Sequence, residues 1–184
     1  MKPDTLGLVE SRTIAAGILL ADRMVKAADV TLLKATTICA GRYFIQVGGD
    51  RSAVETAVAS AENSDYALVG SIVISNVHPD IFQGVARCRD IPAGDAIGVV
   101  ECKTVSAGVQ AADKALKKAS VQLARLVIGQ GISGKSYFIL NGEIAEVEEA
   151  VAAAITVLDK YLLETVVIPA PDAVIIEALT NKAR

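Results

Sequence analysis

Apolar and polar positions along the first eighty residues follow two rhythms in turn. Residues 6–11 form a short apolar run of the kind a buried strand uses. From residue 14 to 28 the apolar positions instead recur at three- and four-residue steps, which predicts an amphipathic helix. Its buried face would carry Ile14, Ile18, Ala21, Val25 and Ala28, with Asp22, Arg23 and Lys26 turned away. Thr13 stands where a hydroxyl would cap that helix. Residues 30–38 and 42–47 read as two more strands, joined by the tight loop Thr37-Ile38-Cys39-Ala40-Gly41, in which Gly41 supplies the backbone freedom a hairpin tip needs. A second helix is expected over 52–63, capped by Asp50, with Ala53, Val54, Ala57, Val58 and Ala61 inward. A fourth strand over 68–75 is stopped by His78-Pro79 before a short helical turn around 81–85.

The whole pattern then occurs a second time. Residues 6–32 match residues 97–123 at an offset of 91, with 12 identities in 27 positions, among them Gly7, Val9, Glu10, Thr13, Gly17, Asp22 and Lys26. Residues 41–58 match 134–151 at an offset of 93, so the second copy has gained two residues just before Gly134. A β-α-β-β-α-β-α order written twice predicts two α+β domains, each a mainly antiparallel sheet with helices on one face, a ferredoxin-like variant. The expected boundaries are a first domain over 1–88, a linker over 89–95 containing Pro92 and Gly94, and a second domain over 96–184.

Composition adds an expectation about assembly. The chain has 184 residues, 52% of them hydrophobic but only 4% aromatic and none Trp, so its cores must be built from Ala, Val, Ile and Leu with helices lying close on the sheets. Domains of this size hide a limited share of their own surface, which makes so apolar a chain an expected oligomer. The longest stretch without a formal charge, 66–79, is too short for a spanning helix of roughly 20 residues, and no membrane partner is expected. Met1-Lys2-Pro3-Asp4 leads straight into a strand, so no signal peptide is expected either. A net charge of −3 with scattered basic residues and no aromatic platform argues against nucleic acid. Three cysteines without paired spacing fit a reducing compartment.

Chemistry is sought where the two copies disagree. Cys39 lies in the hairpin loop of the first copy, whereas the second reads Gln130-Gly131-Ile132-Ser133-Gly134 and has no thiol there. A free cysteine is most often a small buried hydrophobe, but hairpin tips are usually exposed. Cys88 in the linker region and Cys102, which replaces Ser11, are read as carrying no chemistry. His78, the only histidine, reads as a strand-end hydrogen-bonding residue, with no metal triad to be built around it. Glu10 and Glu101 are duplicated, which argues for architecture rather than a catalytic acid pair. Lys26 and Lys117 end matching helices, where a cation suits the helix dipole.

The block Gly7-Leu8-Val9-Glu10, the run Ala21-Asp22-Arg23-Met24-Val25-Lys26-Ala27-Ala28, the Gly49-Asp50 turn and the strand before Pro79 together resemble the bacterial microcompartment shell domain, in both copies and over nearly the whole chain. The resemblance implies a non-enzymatic tile of the protein shell that encloses metabolic enzymes in the cytoplasm. Two domains, each starting with its own first strand, resemble the tandem, non-permuted class, which implies a homotrimer shaped like a hexamer. Lys26 and Lys117 would then lie at the tile edge against other shell proteins. The Arg that the family often carries after the fourth strand is replaced by Asn76-Val77-His78-Pro79 and Pro169-Ala170-Pro171-Asp172.

Thr37-Ile38-Cys39-Ala40-Gly41 resembles the pore loop of a tandem shell protein from propanediol-utilising compartments that holds a [4Fe-4S] cluster on its three-fold axis. Relatives often carry Pro where Ala40 stands. By this resemblance Cys39 would be the metal and cofactor ligand, with one cluster per trimer, and encapsulated redox enzymes would be partners. Four thiolates normally hold such a cluster, so three chains would leave one iron open. Two other readings stay open at this level: a cluster-free tile whose central pore passes small metabolites, and a ferredoxin-like regulatory or redox domain using a reactive thiol, for which the sequence offers no base, phosphate loop or metal set.

Overall fold

The structure, a computed structural model, describes residues 4–82, 91–92 and 95–180. The first copy runs β1 (Thr5–Ser11), α1 (Ile14–Ala27), β2 (Thr31–Ile38), β3 (Arg42–Gly49), α2 (Arg51–Glu62), β4 (Leu68–Ile74) and α3 (Pro79–Phe82). The second runs β5 (Ala96–Cys102), α4 (Val105–Lys118), β6 (Gln122–Ile128), β7 (Ser136–Gly142), α5 (Ile144–Ile155), a 3-10 turn at Asp159–Tyr161, β8 (Leu162–Ile168) and α6 (Ala173–Thr180). Cys88, the end of the expected 81–85 turn and most of the expected 89–95 linker lie outside the described residues.

Each copy forms a four-stranded sheet, ordered β2-β3-β1-β4 in the first and β6-β7-β5-β8 in the second, with every pairing antiparallel. The registers repeat down to their flaws. Glu10 faces Phe44 on one side and Gly70 on the other, Glu101 faces Tyr137 and Glu164, and a register shift follows each glutamate on the outer side. The chain divides into two compact units: Met1–Val77 with Thr104–Ser106 and Gly129–Gly134, and His78–Lys103 with Ala107–Ile128 and Lys135–Arg184.

In the first unit α1 and α2 lie together over the sheet, around a core of Val9, Leu20, Met24, Ile45, Val47, Val54 and Val58. Helix α2 buries Val54, Ala57, Val58 and Ala61, the face its spacing predicts. Small residues set how close it comes. A methyl group added to Gly7 would fall 2.7 to 2.9 Å from the side chains of Val58, Val47 and Val54, and one added to Gly98 would fall 2.8 to 2.9 Å from Val151 and Val147 of α5. The duplicated glycines on β1 and β5 are therefore where a valine-bearing helix lies down on each sheet.

Helix α1 corrects the expected face. Its buried residues are Ala16, Gly17, Leu20, Ala21 and Met24, while Ile14, Ile18 and Val25 point outward. The helix carries two apolar stripes, and the one with the smallest side chains packs inward because Gly17 lies directly over Tyr43, where a methyl group would be 2.3 Å from the tyrosine Cβ. Both expected caps also fail. Thr13 and Asp50 sit at the N-cap positions with extended backbone, but neither side chain makes a capping bond. At the β1–α1 corner the Ser11 hydroxyl donates to the Thr13 carbonyl at 2.9 Å and accepts the Thr13 N–H at 3.4 Å.

Candidate functional site

The β2–β3 hairpin closes tightly, with Ile38 still paired to Arg42 and only Cys39, Ala40 and Gly41 left to turn the chain. Such a turn needs left-handed backbone, and Ala40 (φ 64°) joins Gly41 (φ 68°) in that region. Proline, fixed near −65°, could not take the Ala40 conformation. The expected loop residues thus come together at the tip, with Cys39 half-buried, Ala40 and Gly41 exposed and Ile38 buried beneath them.

What the sequence did not signal is how the thiol is held. The Cys39 N–H donates to the Gly129 carbonyl at 3.1 Å, and the Gly131 N–H donates to Cys39 Sγ at 3.1 Å. Gly129, Gly131 and Gly134 all have positive φ, at 72°, 74° and 76°. Gly134 also leaves room beside the Cys39 carbonyl, which would be 3.0 Å from an added methyl group. The thiol-free loop of the second copy is therefore the cradle of the first copy's thiol, and its run of glycines was the available clue.

This geometry bears on cluster binding. A half-buried sulfur at an exposed tip that receives a backbone N–H matches how iron–sulfur thiolates are oriented and tuned. Among the described residues no group of three His, Cys, Asp or Glu side chains could hold a metal ion, and Cys39 stands as a lone ligand candidate in its loop. Cys39 fits such a group only as one ligand among several. Cys102 is different: it is fully buried, and burial pushes its thiol up to about 12, so it stays protonated and inert.

The other expected site residues are dispersed. Lys26 pairs with Asp22 at 2.7 Å on the exposed side of α1, and Lys117 pairs with Asp113 at 2.5 Å on α4. His78 begins α3, its carbonyl accepting from Ile81 and Phe82 and its Nδ1 accepting the Asp80 N–H at 3.3 Å. It thus serves a helix start rather than the strand end its sequence position suggests, because β4 already closes at Ile74. Glu10, by contrast, is fully buried and tied to the first turn of α4: its Oε1 accepts the Ser106 N–H at 2.6 Å and the Ser106 hydroxyl at 2.7 Å. Burial raises its carboxyl above the ordinary value of 4.5, against the pull of these bonds and of nearby Arg42.

Each copy is a four-stranded antiparallel sheet packed with helices, though not on one face as expected: α5 lies over Gly98, whereas Ile176 and Leu179 of α6 pack on the opposite face with Ile97 and Ile139. The BMC domain profile matches residues 5–77 and 96–171. The chain belongs to the bacterial microcompartment shell-domain family: it is a structural shell protein with two such domains, and not an enzyme. It is 35% identical over 150 residues to the bacterial microcompartment shell protein PduT of Citrobacter freundii, covering 81% of this chain and 82% of that one. One copy is 40% identical over 73 residues to the carboxysome shell protein CcmK2 of Thermosynechococcus vestitus, covering 40% of this chain and 72% of that one. Among solved structures, a microcompartments protein from Desulfitobacterium hafniense DCB matches with a TM-score of 0.80 at 35% identity, over 93% of this chain and 97% of that one. Among the described residues no helix is long and apolar enough to cross a membrane.

Proposed function

We propose that three copies of the chain close into a pseudo-hexameric shell tile in which the Cys39 loops meet at the three-fold axis and hold one [4Fe-4S] cluster. The observation that carries this reading is the Cys39 thiol at a hairpin tip, with the Gly131 N–H directed at its sulfur at 3.1 Å. Three thiolates, one per chain, would leave one iron for water, a small molecule or a partner side chain. The cluster supplies one-electron chemistry when bound; the chain's own part is to set the thiolates around the axis and donate hydrogen bonds to them. The tile would then pass electrons, or cluster components, across the shell, with encapsulated redox enzymes and other shell proteins as partners. Lys26 and Lys117 are proposed as tile-edge contacts.

Assembly is supported by the surface of α1, whose outer stripe of Ile14, Ile18, Leu19 and Val25 is an apolar patch that a lone chain leaves in water. The thiol is supported as the ligand because the matching loop of the second copy has none, so a ring of six domains would present three sulfurs. Anaerobic protein reconstituted with iron and sulfide is expected to show broad visible absorption that is lost in Cys39→Ser. A colourless wild-type trimer after the same treatment would leave a cluster-free tile, with Cys39 only lining an opening for metabolites.

A further inference from the structure

The two copies differ in burial on matching faces of α1 and α4. Val105, Val109 and Leu116 of α4 are 0%, 2% and 6% exposed, whereas their counterparts Ile14, Ile18 and Val25 on α1 are 40%, 55% and 37% exposed. Their helix starts differ in the same way. The first-turn N–H groups of α4 are held by Glu10, which accepts from Ser106 and from the Val105 backbone. For α1, no acceptor is found among the described residues for the Ile14 and Ala15 N–H groups, and Thr13 gives no side-chain cap.

The counterpart of Glu10 is also in place. Glu101 occupies the same register on β5, opposite Tyr137 as Glu10 is opposite Phe44, and pairs at 3.0 Å with Lys135, the counterpart of Arg42. It remains part-exposed, with no helix start in reach of its carboxylate among the bonds it makes. An open helix start carries partial positive charge from its unpaired N–H groups, and a carboxylate is its electrostatic complement.

We infer that Glu101 of one chain caps helix α1 of the next chain, accepting the Ile14 and Ala15 N–H groups while the outer stripe of α1 is covered by that second copy. The inference deepens the three-chain ring proposed above and rests on it. It also makes the seam between chains weaker than the matching contact within one: Ser106 gives Glu10 both an N–H and a hydroxyl, while its counterpart Ala15 can give Glu101 only an N–H.

That asymmetry supplies a gain-of-function test. Ala15 is exposed, so Ala15→Ser leaves the fold intact and restores the missing hydroxyl. Sedimentation equilibrium across a dilution series is expected to show tighter trimerisation for Ala15→Ser and weaker for Glu101→Ala, each on the order of tenfold per seam, since hydrogen bonds to charged groups are the strong ones. In the double variant the serine should give no gain, because its acceptor is gone. A trimeric wild type whose dissociation is unchanged by either substitution would overturn the cap and leave the ring standing. A wild type that stays monomeric, or joins only with a different shell protein, would overturn the ring itself.

Discussion

At the scale of single residues the structure turns on groups held in costly states. Ala40 sits in left-handed backbone, which costs an L-residue roughly 1–2 kcal/mol. Glycine removes that strain but loses about 0.5–1 kcal/mol to the flexibility of the unfolded chain. Ala40→Gly is therefore expected to stabilise the fold by up to about 1 kcal/mol, read as a rise in the urea midpoint at constant slope. Glu10 behaves oppositely to a surface carboxylate. Because burial raises its folded value above 4.5, its contribution is fully present below 4.5 and is lost as pH rises through the raised value. Urea unfolding across that window should show the wild type gaining on Glu10→Gln as pH falls toward 4.5, then levelling off. The position of Cys39 at a tip was legible, because the alternation of strands and a glycine frame it. The Gly131 N–H on its sulfur was not, since it joins residues 92 positions apart through loop geometry.

At the scale of elements, strand and helix order was readable from periodicity, because each segment obeys one repeat for its full length. The orientation of α1 was not readable. Its large apolar side chains suggested the buried face, whereas Ala16 and Gly17 allow the closest approach to Tyr43 and so decide which stripe packs inward. The leftover stripe is the surface that assembly would cover. Close approach also makes particular glycines essential. Gly98→Ala must push Val147 or Val151 aside and is expected to destabilise the fold by about 1–3 kcal/mol in chemical unfolding. Gly49, whose added methyl group would meet nothing nearer than 3.5 Å, should tolerate the same change with little loss. The capping roles of Thr13 and Asp50 were misread because a residue type marks a helix start without fixing where its side chain points.

At the scale of the whole molecule, duplication repeats the fold and breaks its symmetry at a few points. Cys39 has no thiol counterpart in the second loop, Ser106 has no hydroxyl counterpart at Ala15, and an open α1 stripe answers a covered α4 stripe. In the proposed three-fold ring each difference would gain a purpose: three sulfurs at the axis, and one hydrogen bond fewer from Ala15 to Glu101 between chains than Ser106 gives Glu10. The doubling was plain in the sequence; which copy's loop would cradle the other was not. The shared cluster can be checked by counting iron and recording the EPR spectrum of dithionite-reduced, anaerobically reconstituted trimer. About four irons for every three chains and a paramagnetic cluster signal are expected, both lost in Cys39→Ser. A trimer that binds iron no better than Cys39→Ser and gives no such signal would contradict the shared cluster.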